Sequence, residues 1–343
     1  MKRILPIICM LLMINAPVHA GPIRFFEFEI EYYTKVLVEN PEDILAYHNR
    51  GEAYYYTHKY DDAIADFTQE ILKYTPIVEQ NPQDASVYYY RGDMYIKLAK
   101  AYVEKNKSTA KSDIEVKKNI EKAIVDYTTA IKMNVPPKVH NTYLYISRAD
   151  AYLDIGENDK AMSDYNEIVH AYPSEYTYEH RAIAHERLSD YDNAIVDFTA
   201  VIQYEPRSGQ NYTRRGKVYV LKGDYNSAIA DLKKAIQLDN ILSDAYQPLV
   251  KVYLHKRERD KVIDVYTQFI TDAKRANTSW RDMVPISNLE LATAYYDRGN
   301  LLYEKEYYNL ALADCDEAIR LNPKNENVQK LKKSIISKLS HVR

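Results

Sequence analysis

The chain has 343 residues, with 46 lysines and arginines against 49 aspartates and glutamates, a formal charge of −3 at neutral pH. That balance argues against nucleic acid or an acidic membrane surface as the ligand. Hydrophobic content of 46% is ordinary for a folded protein, yet tyrosine supplies 34 residues while phenylalanine supplies six and tryptophan one. Tyrosine is the amphipathic choice, apolar in body and wet at its tip.

At the start, Lys2 and Arg3 precede an apolar run from Ile4 to Ile14, and Ala16, Pro17, Val18, His19 and Ala20 close the segment. A basic start, eleven apolar residues and a small-x-small ending read as a secretory signal peptide over residues 1–20, cut before Gly21. The alternative, an uncleaved anchor, needs about twenty apolar residues to span a bilayer. Cys9, after bulky Ile8, lies too early for a lipid-attachment cysteine. The mature chain is therefore expected to be exported, periplasmic or secreted. Cleavage leaves 44 basic and 49 acidic residues, a charge of −5, and Cys315 as the single thiol. No internal disulfide is then available in an oxidising compartment, so stability must come from packing.

Residues 21–43 are expected to form a single amphipathic capping helix, with Phe25, Phe28, Tyr32 and Val36 on one face. From residue 44 to 323 a period takes over. It is clearest at Tyr145, Tyr178, Tyr212 and Tyr246, at steps of 33, 34 and 34 residues. Sixteen residues after each tyrosine stand Ala161, Ala194, Ala228 and Val262, and four later Tyr165, Phe198, Leu232 and Tyr266. A fixed step of this size is the signature of a solenoid.

The pattern of an aromatic, a small residue and Tyr on one helix, then Ala, an aromatic and Pro on a second, resembles the tetratricopeptide repeat. Tyr145, Arg148, Ala149, Tyr152, Ala161, Tyr165 and Pro173 carry it in one unit, and Tyr178, Ala182, Ala194, Phe198 and Pro206 in the next. Tyr212, Gly216, Tyr219, Ala228, Leu232 and Ala235 make a third. Upstream units open at Tyr47 and Tyr88, and downstream ones at Tyr246 and Tyr295, giving about seven. The resemblance implies an all-α, right-handed superhelical solenoid of antiparallel helix pairs with terminal capping helices. Residues 324–343, with Val328, Leu331, Ile335 and Leu339 on one face, supply the second cap.

Within the units, Gly51, Gly92, Gly216 and Gly299 are expected opposite the alanines of the second helix, and prolines at unit ends stop that helix. Asp61, Asn158, Asp159, Asp192 and Asp224 fall at the turns, where they can cap the next helix. Arg50, Arg91, Arg148, Arg181, Arg215 and Arg298 each share a unit with Asp66, Asp126, Asp164, Asp197, Asp231 and Asp314. A structural Arg–Asp ladder is expected, since partly buried charges need partners. The unit opened by Tyr246 has Leu249 and Val265 instead.

Two interruptions depart from the period, near 97–122 and 272–289. Between Tyr95 and Ala123 the unit carries 19 extra residues rich in lysine, expected as a basic hairpin arm turning near Asn106 to Thr109. It reads either as a docking arm for an acidic partner or as a tolerated, solvated insertion. Between Tyr266 and Tyr295 about 15 extra residues include Trp280, which can anchor a partner or pack back onto adjacent helices.

No phosphate loop, dinucleotide glycine pattern, nucleophile elbow or HExxH is present, so neither catalysis nor a cofactor is expected. His180 and His185 are five apart, and no second cysteine remains to share a zinc site with Cys315. Cys315 replaces a second-helix aromatic and is expected to be buried and inert.

The resemblance also implies that ligands lie along the concave groove lined by first helices. Mapped onto this sequence, those positions give Glu52, Tyr55, Tyr89, Tyr90, Asp93, Tyr143, Asp150 and Asp154 in an aromatic, acidic early part. Arg187, Arg214, Lys217 and Lys251 make a basic later part. Such a surface suits an extended peptide or helix, although tyrosines at helical spacing also serve inter-helix packing. The Asn and Lys arrangement with which some relatives clamp a chaperone carboxylate does not appear at matching positions. The expectation is an exported, non-enzymatic scaffold for a protein or peptide, such as a periplasmic adaptor in envelope or secretion processes. The alternative is a structural assembly subunit whose groove is filled by another copy or by its own terminal helices.

Overall fold

The computed structural model describes residues 22–107, 113–133, 141–238, 244–276 and 287–341. The expected signal segment, residues 108 and 109 of the expected turn and the Trp280 loop lie outside the described residues. Among those described there are sixteen helices and no strand, divided between two compact units, residues 1–173 and 174–343.

In the first unit α1 (Pro22–Glu39) precedes three hairpins, α2 (Ile44–Tyr56) with α3 (Tyr60–Gln80), α4 (Ala85–Asn106) with α5 (Ile114–Met133), and α6 (Thr142–Ile155) with α7 (Asn158–Ala171). The second contains four hairpins and a last helix. They are α8 (Glu175–Arg187) with α9 (Tyr191–Tyr204), α10 (Gly209–Lys222) with α11 (Tyr225–Leu238), α12 (Tyr246–His255) with α13 (Arg259–Ala276), α14 (Asn288–Glu304) with α15 (Tyr308–Leu321), and α16 (Glu326–His341). Within each unit every helix packs on its neighbours in the chain.

The period explains the helices and their ends. Buried Ala63, Ala123, Ala161, Ala194, Ala228 and Ala311 let helices approach, and Phe67, Tyr127, Tyr165, Phe198 and Leu232, four residues on from the first five of them, fill the space between. Helices α7, α9 and α15 stop two residues before Pro173, Pro206 and Pro323, as the residue before proline is driven from helical geometry. The first helix of six hairpins closes on a left-handed residue at one register, His58, Gly156, Ser189, Gly223, Arg257 or Glu306. The amide that follows reaches back five residues, as in Lys59 N–H to Tyr54 O at 2.9 Å and Glu157 N–H to Tyr152 O at 2.8 Å. This is a Schellman closure, and only two of the six positions hold the glycine that tolerates it without strain.

The cap assignment at these turns is corrected. Asp190 and Asp224 accept from the amides of Asn193 and Ser227, but Asp61, Asn158, Asp159 and Asp192 sit inside the first turn, after Lys59, Glu157 and Asp190 at the cap positions. Asp61 and Asp192 instead accept from Lys105 and Lys222 of the next hairpin, both at 2.5 Å, and Asp260 pairs likewise with Lys305. A Cβ on Gly51 would meet Phe67 Cε1 at 2.8 Å, one on Gly92 would meet Tyr127 Cε1 at 2.9 Å and Ala123 O at 3.4 Å, and one on Gly299 would meet Ala311 O at 3.4 Å, so Gly92 and Gly299 do face the alanine while Gly51 and Gly92 also make room for the aromatic four residues after it.

All six Arg–Asp rungs form. Each guanidinium donates Nε–H and Nη2–H to the two oxygens of its aspartate at 2.6–2.8 Å. Nη1 of Arg50, Arg148, Arg215 and Arg298 continues to Thr34, Thr128, Thr199 and Thr267 on the preceding helix at 3.0–3.2 Å. Each guanidinium also lies 5.7–6.0 Å from one or two tyrosine rings, Tyr212 and Tyr219 flanking Arg215, for example. Hydrogen bonding to Asp66 raises the Arg50 pKa. On Asp66 burial pushes the pKa up and Arg50 pulls it down. The two-bond geometry leaves an ion pair at neutral pH.

The lysine-rich insertion is helical and packed. Helices α4 and α5 have 22 and 20 residues where α6 and α7 have 14 each. Their extensions bury Leu98, Ala99, Ala101, Val116 and Ile120, with Leu98 and Ala101 in a core with Phe67 of α3 and Val116 and Ile120 in one with Ala151 of α6. A freely projecting basic arm is thus corrected. The lysines are also engaged, Lys117 with Glu121, Lys118 with Glu115, Lys107 with Glu104 and Lys122 over the Tyr95 ring. At the first cap, Leu37 is the buried residue of α1 and Phe26 stacks on Tyr56 at 5.0 Å, while Phe28 is exposed. The buried stripe is rotated from the one expected, because α1 has aromatic residues on both sides.

Two stability outcomes follow. Arg215→Ala strands Asp231, 7% exposed, and is expected to cost about 3–5 kcal/mol, whereas Arg215→Met with Asp231→Leu recovers most of that loss in chemical unfolding. Equal losses in both variants would show that the guanidinium acts through packing alone. Ser189→Gly, at φ 61°, is expected to raise stability by about 1 kcal/mol, and an unchanged midpoint would refute strain at that turn.

Candidate functional site

The first unit assembles a tyrosine wall from helices α3, α4 and α6. The register that makes Tyr88 a packing residue turns the next residue outward, so Tyr89 and Tyr90 stand on the other side of α4. Tyr89 meets Tyr143 of α6 edge-on with ring centres 4.6 Å apart, and Tyr90 stacks on Tyr74 of α3 at 6.3 Å. Tyr89 also approaches Tyr127 at 6.1 Å. Tyr90 is 50% exposed and Tyr143 39%, so the wall is wet on one side.

Charge lies beneath this wall. Glu70 of α3 is 2% exposed, and His48 of α2 lies 3.3 Å from both its oxygens. Burial raises the Glu70 pKa against the opposing effect of His48. Asp93 of α4 is raised likewise by burial, with Lys97, Lys100 and His48 opposing and Glu52 adding to the rise. Lys97 reaches Glu52 at 2.5 Å. Asp93 is half-buried and receives no hydrogen bond among the described residues, with Lys97 and Lys100 as its opposing charges. Burial, with the charges of Glu70 and Asp93 nearby, pushes the Tyr74 hydroxyl up to about 12, which keeps it a neutral donor. Three carboxylates thus face two lysines and one histidine beside the tyrosine wall, an arrangement that attracts a cation.

Of the twelve residues expected in the groove, Glu52, Tyr89, Tyr90, Asp93 and Tyr143 meet here. Tyr55 packs against Tyr56 and Tyr60 at the α2–α3 turn. Asp150 accepts from the Tyr165 hydroxyl at 2.6 Å, and Asp154 lies one turn further along α6. In the second unit Arg214 is tied to Glu179, and Lys217 lies 3.5 Å from Asp244, with the burial-raised Glu186 beside it. Arg187 and Lys251 are exposed. The later part is therefore a surface of mixed charge, because positions outside the repeat consensus supply acids that the basic residues pair with.

Sequence reasoning missed His48, Glu70, Tyr74 and Lys97. Glu70 had a signal: it lies four residues after Asp66, where the other five rung-bearing units place Ala130, Ile168, Val201, Ala235 and Ala318. Cys315 is fully buried, and burial pushes its thiol up to about 11, away from reactivity. No group of three His, Cys, Asp or Glu is placed to hold a metal ion among the described residues, and no helix there is long and apolar enough to cross a membrane.

The architecture defines a class of repeat proteins made of stacked helical hairpins. Tetratricopeptide-repeat family models match residues 48–104, 142–174, 209–241 and 292–325. These segments carry tetratricopeptide repeats. Solved structures similar to it include MamA, 22% identical over 54% of this chain and 93% of that one, with a TM-score of 0.41. A tetratricopeptide repeat protein from Parabacteroides merdae is 15% identical over 85% and 98%, with a TM-score of 0.39. YrrB, described as having an unusual peptide-binding site, is 18% identical over 67% and 99%, with a TM-score of 0.34. Comparison with curated proteins gives no match.

The raised Glu70 pKa makes a pH outcome. The folded state holds that proton more tightly than the unfolded chain does, so the stabilisation is present below the ordinary value of 4.5 and lost as pH rises through the folded value. Glu70→Gln, uncharged throughout, is expected to equal or exceed the wild type in thermal stability at pH 7, with the difference closing in acid. A variant less stable at pH 7 would mean that pairing with His48 outweighs burial.

Proposed function

We propose that the protein is an exported, non-enzymatic scaffold that holds a basic segment of a protein or peptide partner against the tyrosine wall of its first unit. The observation that carries this reading is the grouping of three carboxylates, Glu52, Glu70 and the half-buried Asp93, beside the exposed rings of Tyr90 and Tyr143, where they outnumber Lys97 and Lys100. A lysine or arginine side chain fits such a site, gaining a charge partner below and aromatic faces beside it. The tetratricopeptide-repeat family is one of protein-interaction scaffolds, and the repeats supply rigid helices on which such a site is held.

Export rests on residues 1–20, whose basic start, apolar run and small-x-small ending have the form of a cleaved signal. In a bacterial cell this places the scaffold in the periplasm, as an adaptor in envelope or secretion processes. Fractionation of the expressed chain followed by N-terminal sequencing is expected to find the mature protein outside the cytoplasm, beginning at Gly21. A cytoplasmic, full-length product would end the export reading.

The site is tested with fluorescent peptides of matched length bearing alternating lysine or alternating glutamate. The wild type is expected to bind the lysine peptide preferentially, and Tyr90→Ala with Asp93→Asn to weaken it by about tenfold or more. Equal binding of both peptides, or unchanged binding by the variant, would refute the site assignment. Light scattering on the same samples separates partner binding from self-association.

A further inference from the structure

The second unit contains a cleft of about 420 Å³ where the Arg–Asp ladder is broken. In the ladder, a guanidinium fills the space between a tyrosine three residues before it and, in most units, another four residues after it. The hairpin of α12 and α13 keeps both tyrosines, Tyr246 and Tyr253, but has Leu249 where the arginine belongs and Val265 where the aspartate belongs. Leu249 and Val265 are buried at 2% and 7% exposure and form the floor with Ile236 of α11. Neither reaches across the gap as a guanidinium does. The result is an apolar slot of small-molecule size, open to solvent between two rings.

Its rim carries Lys233, Lys261 and Asp264, of which Lys233 is the cation without an ion pair among the described residues. Lys233 occupies the register of Thr128 and Thr199, which in their rungs turn toward the arginine of the next hairpin, and its ammonium lies 5.9 Å from the Tyr253 ring centre. Lys261 stands over the same ring at 5.4 Å and is tied to Glu258. Asp264 also lines the cleft, at the exposed register that Val125 and Val196, each 64% exposed, hold in their units, so its carboxylate lies at the outer edge and not at the Leu249–Val265 floor. An incoming guanidinium would meet two ammonium groups and no rung carboxylate, so the slot does not simply await the missing arginine from elsewhere. An apolar body with an anionic end satisfies both the floor and Lys233.

We propose that this cleft binds a small aliphatic monocarboxylate, its chain on Leu249 and Val265 between Tyr246 and Tyr253 and its carboxylate at Lys233. The site is separate from that of the first unit and stands or falls without it.

The test is isothermal titration of the mature chain with octanoate, octanol and octylammonium. Octanoate is expected to bind saturably at one site and more tightly than octylammonium. Leu249→Arg with Val265→Asp, which restores the rung found in six other hairpins, is expected to weaken octanoate by about tenfold or more, and Lys233→Glu to weaken it without affecting octanol. Leu249→Phe fills the slot without charge and serves if the restored rung fails to fold. Absence of saturable octanoate binding, persistence of binding in both filled variants, or equal binding of octylammonium would overturn the proposal.

Discussion

The bidentate Arg–Asp pair is the interaction on which the hairpins depend. An arginine at mid-length of a first helix and an aspartate sixteen residues later, or 35 across the longer insertion, meet only when the two helices lie side by side in one register. Where the guanidinium also reaches a threonine on the preceding helix, one side chain sets the position of three helices. Hydrophobic burial drives the stack together, but alanines and aromatics repeated every few residues tolerate more than one sliding register. A planar fork that accepts only one geometry removes that freedom. Buried ion pairs contribute little net stability, and their value here lies in fixing register.

That constraint explains where the molecule can vary. In a repeat protein each unit depends chiefly on its neighbours, so a changed residue is absorbed locally. The first unit departs from the repeat at Glu70, where a carboxylate replaces an apolar residue, and at the long helices α3, α4 and α5. Both departures serve the same region. The extended helices carry added cores around Leu98, Ala101, Val116 and Ile120, and this extra packing holds rigid the helices that carry Glu70 and Asp93. Burial of carboxylates without full pairing costs stability, and a site that bears this cost must be supported from behind.

The hairpin architecture was legible because it is written many times: seven tyrosines, six arginines and six aspartates in step leave few alternatives. The rungs were legible for the same reason, and so was the inert burial of Cys315. Single-copy features were not. The turns close on left-handed residues that are mostly not glycine, so their chemistry gives no local signal at His58 or Glu306. The excess of lysine in α4 and α5 suggested a free arm because composition records the charges and not the glutamates and aspartates folded against them. Groove residues read from a family pattern gave Tyr89, Tyr90, Asp93 and Tyr143, the first-helix half of the site. Glu70, Tyr74 and Tyr127 come from second helices, and only the tertiary stacking brings them to the same place.

The broken rung shows how the same constraint can be relaxed. Leu249 and Val265 change together, which is what the physics of the pair requires, because an arginine or aspartate left alone would be a stranded buried charge. Register at this hairpin is held by other means: Tyr246 donates to Asp272 at 2.6 Å, Tyr266 donates to Asp297 at 3.0 Å, and Arg298 of the following hairpin reaches back to Thr267. These bonds lie on either side of the vacancy and leave it open. A paired loss of charge would by itself be neutral repacking if the apolar replacements filled the volume. Here they do not fill it, and the lysine on the neighbouring helix stands in the register that elsewhere hydrogen-bonds the guanidinium. The slot is therefore bounded by rigid, separately anchored helices, the condition under which a binding site keeps its shape when empty.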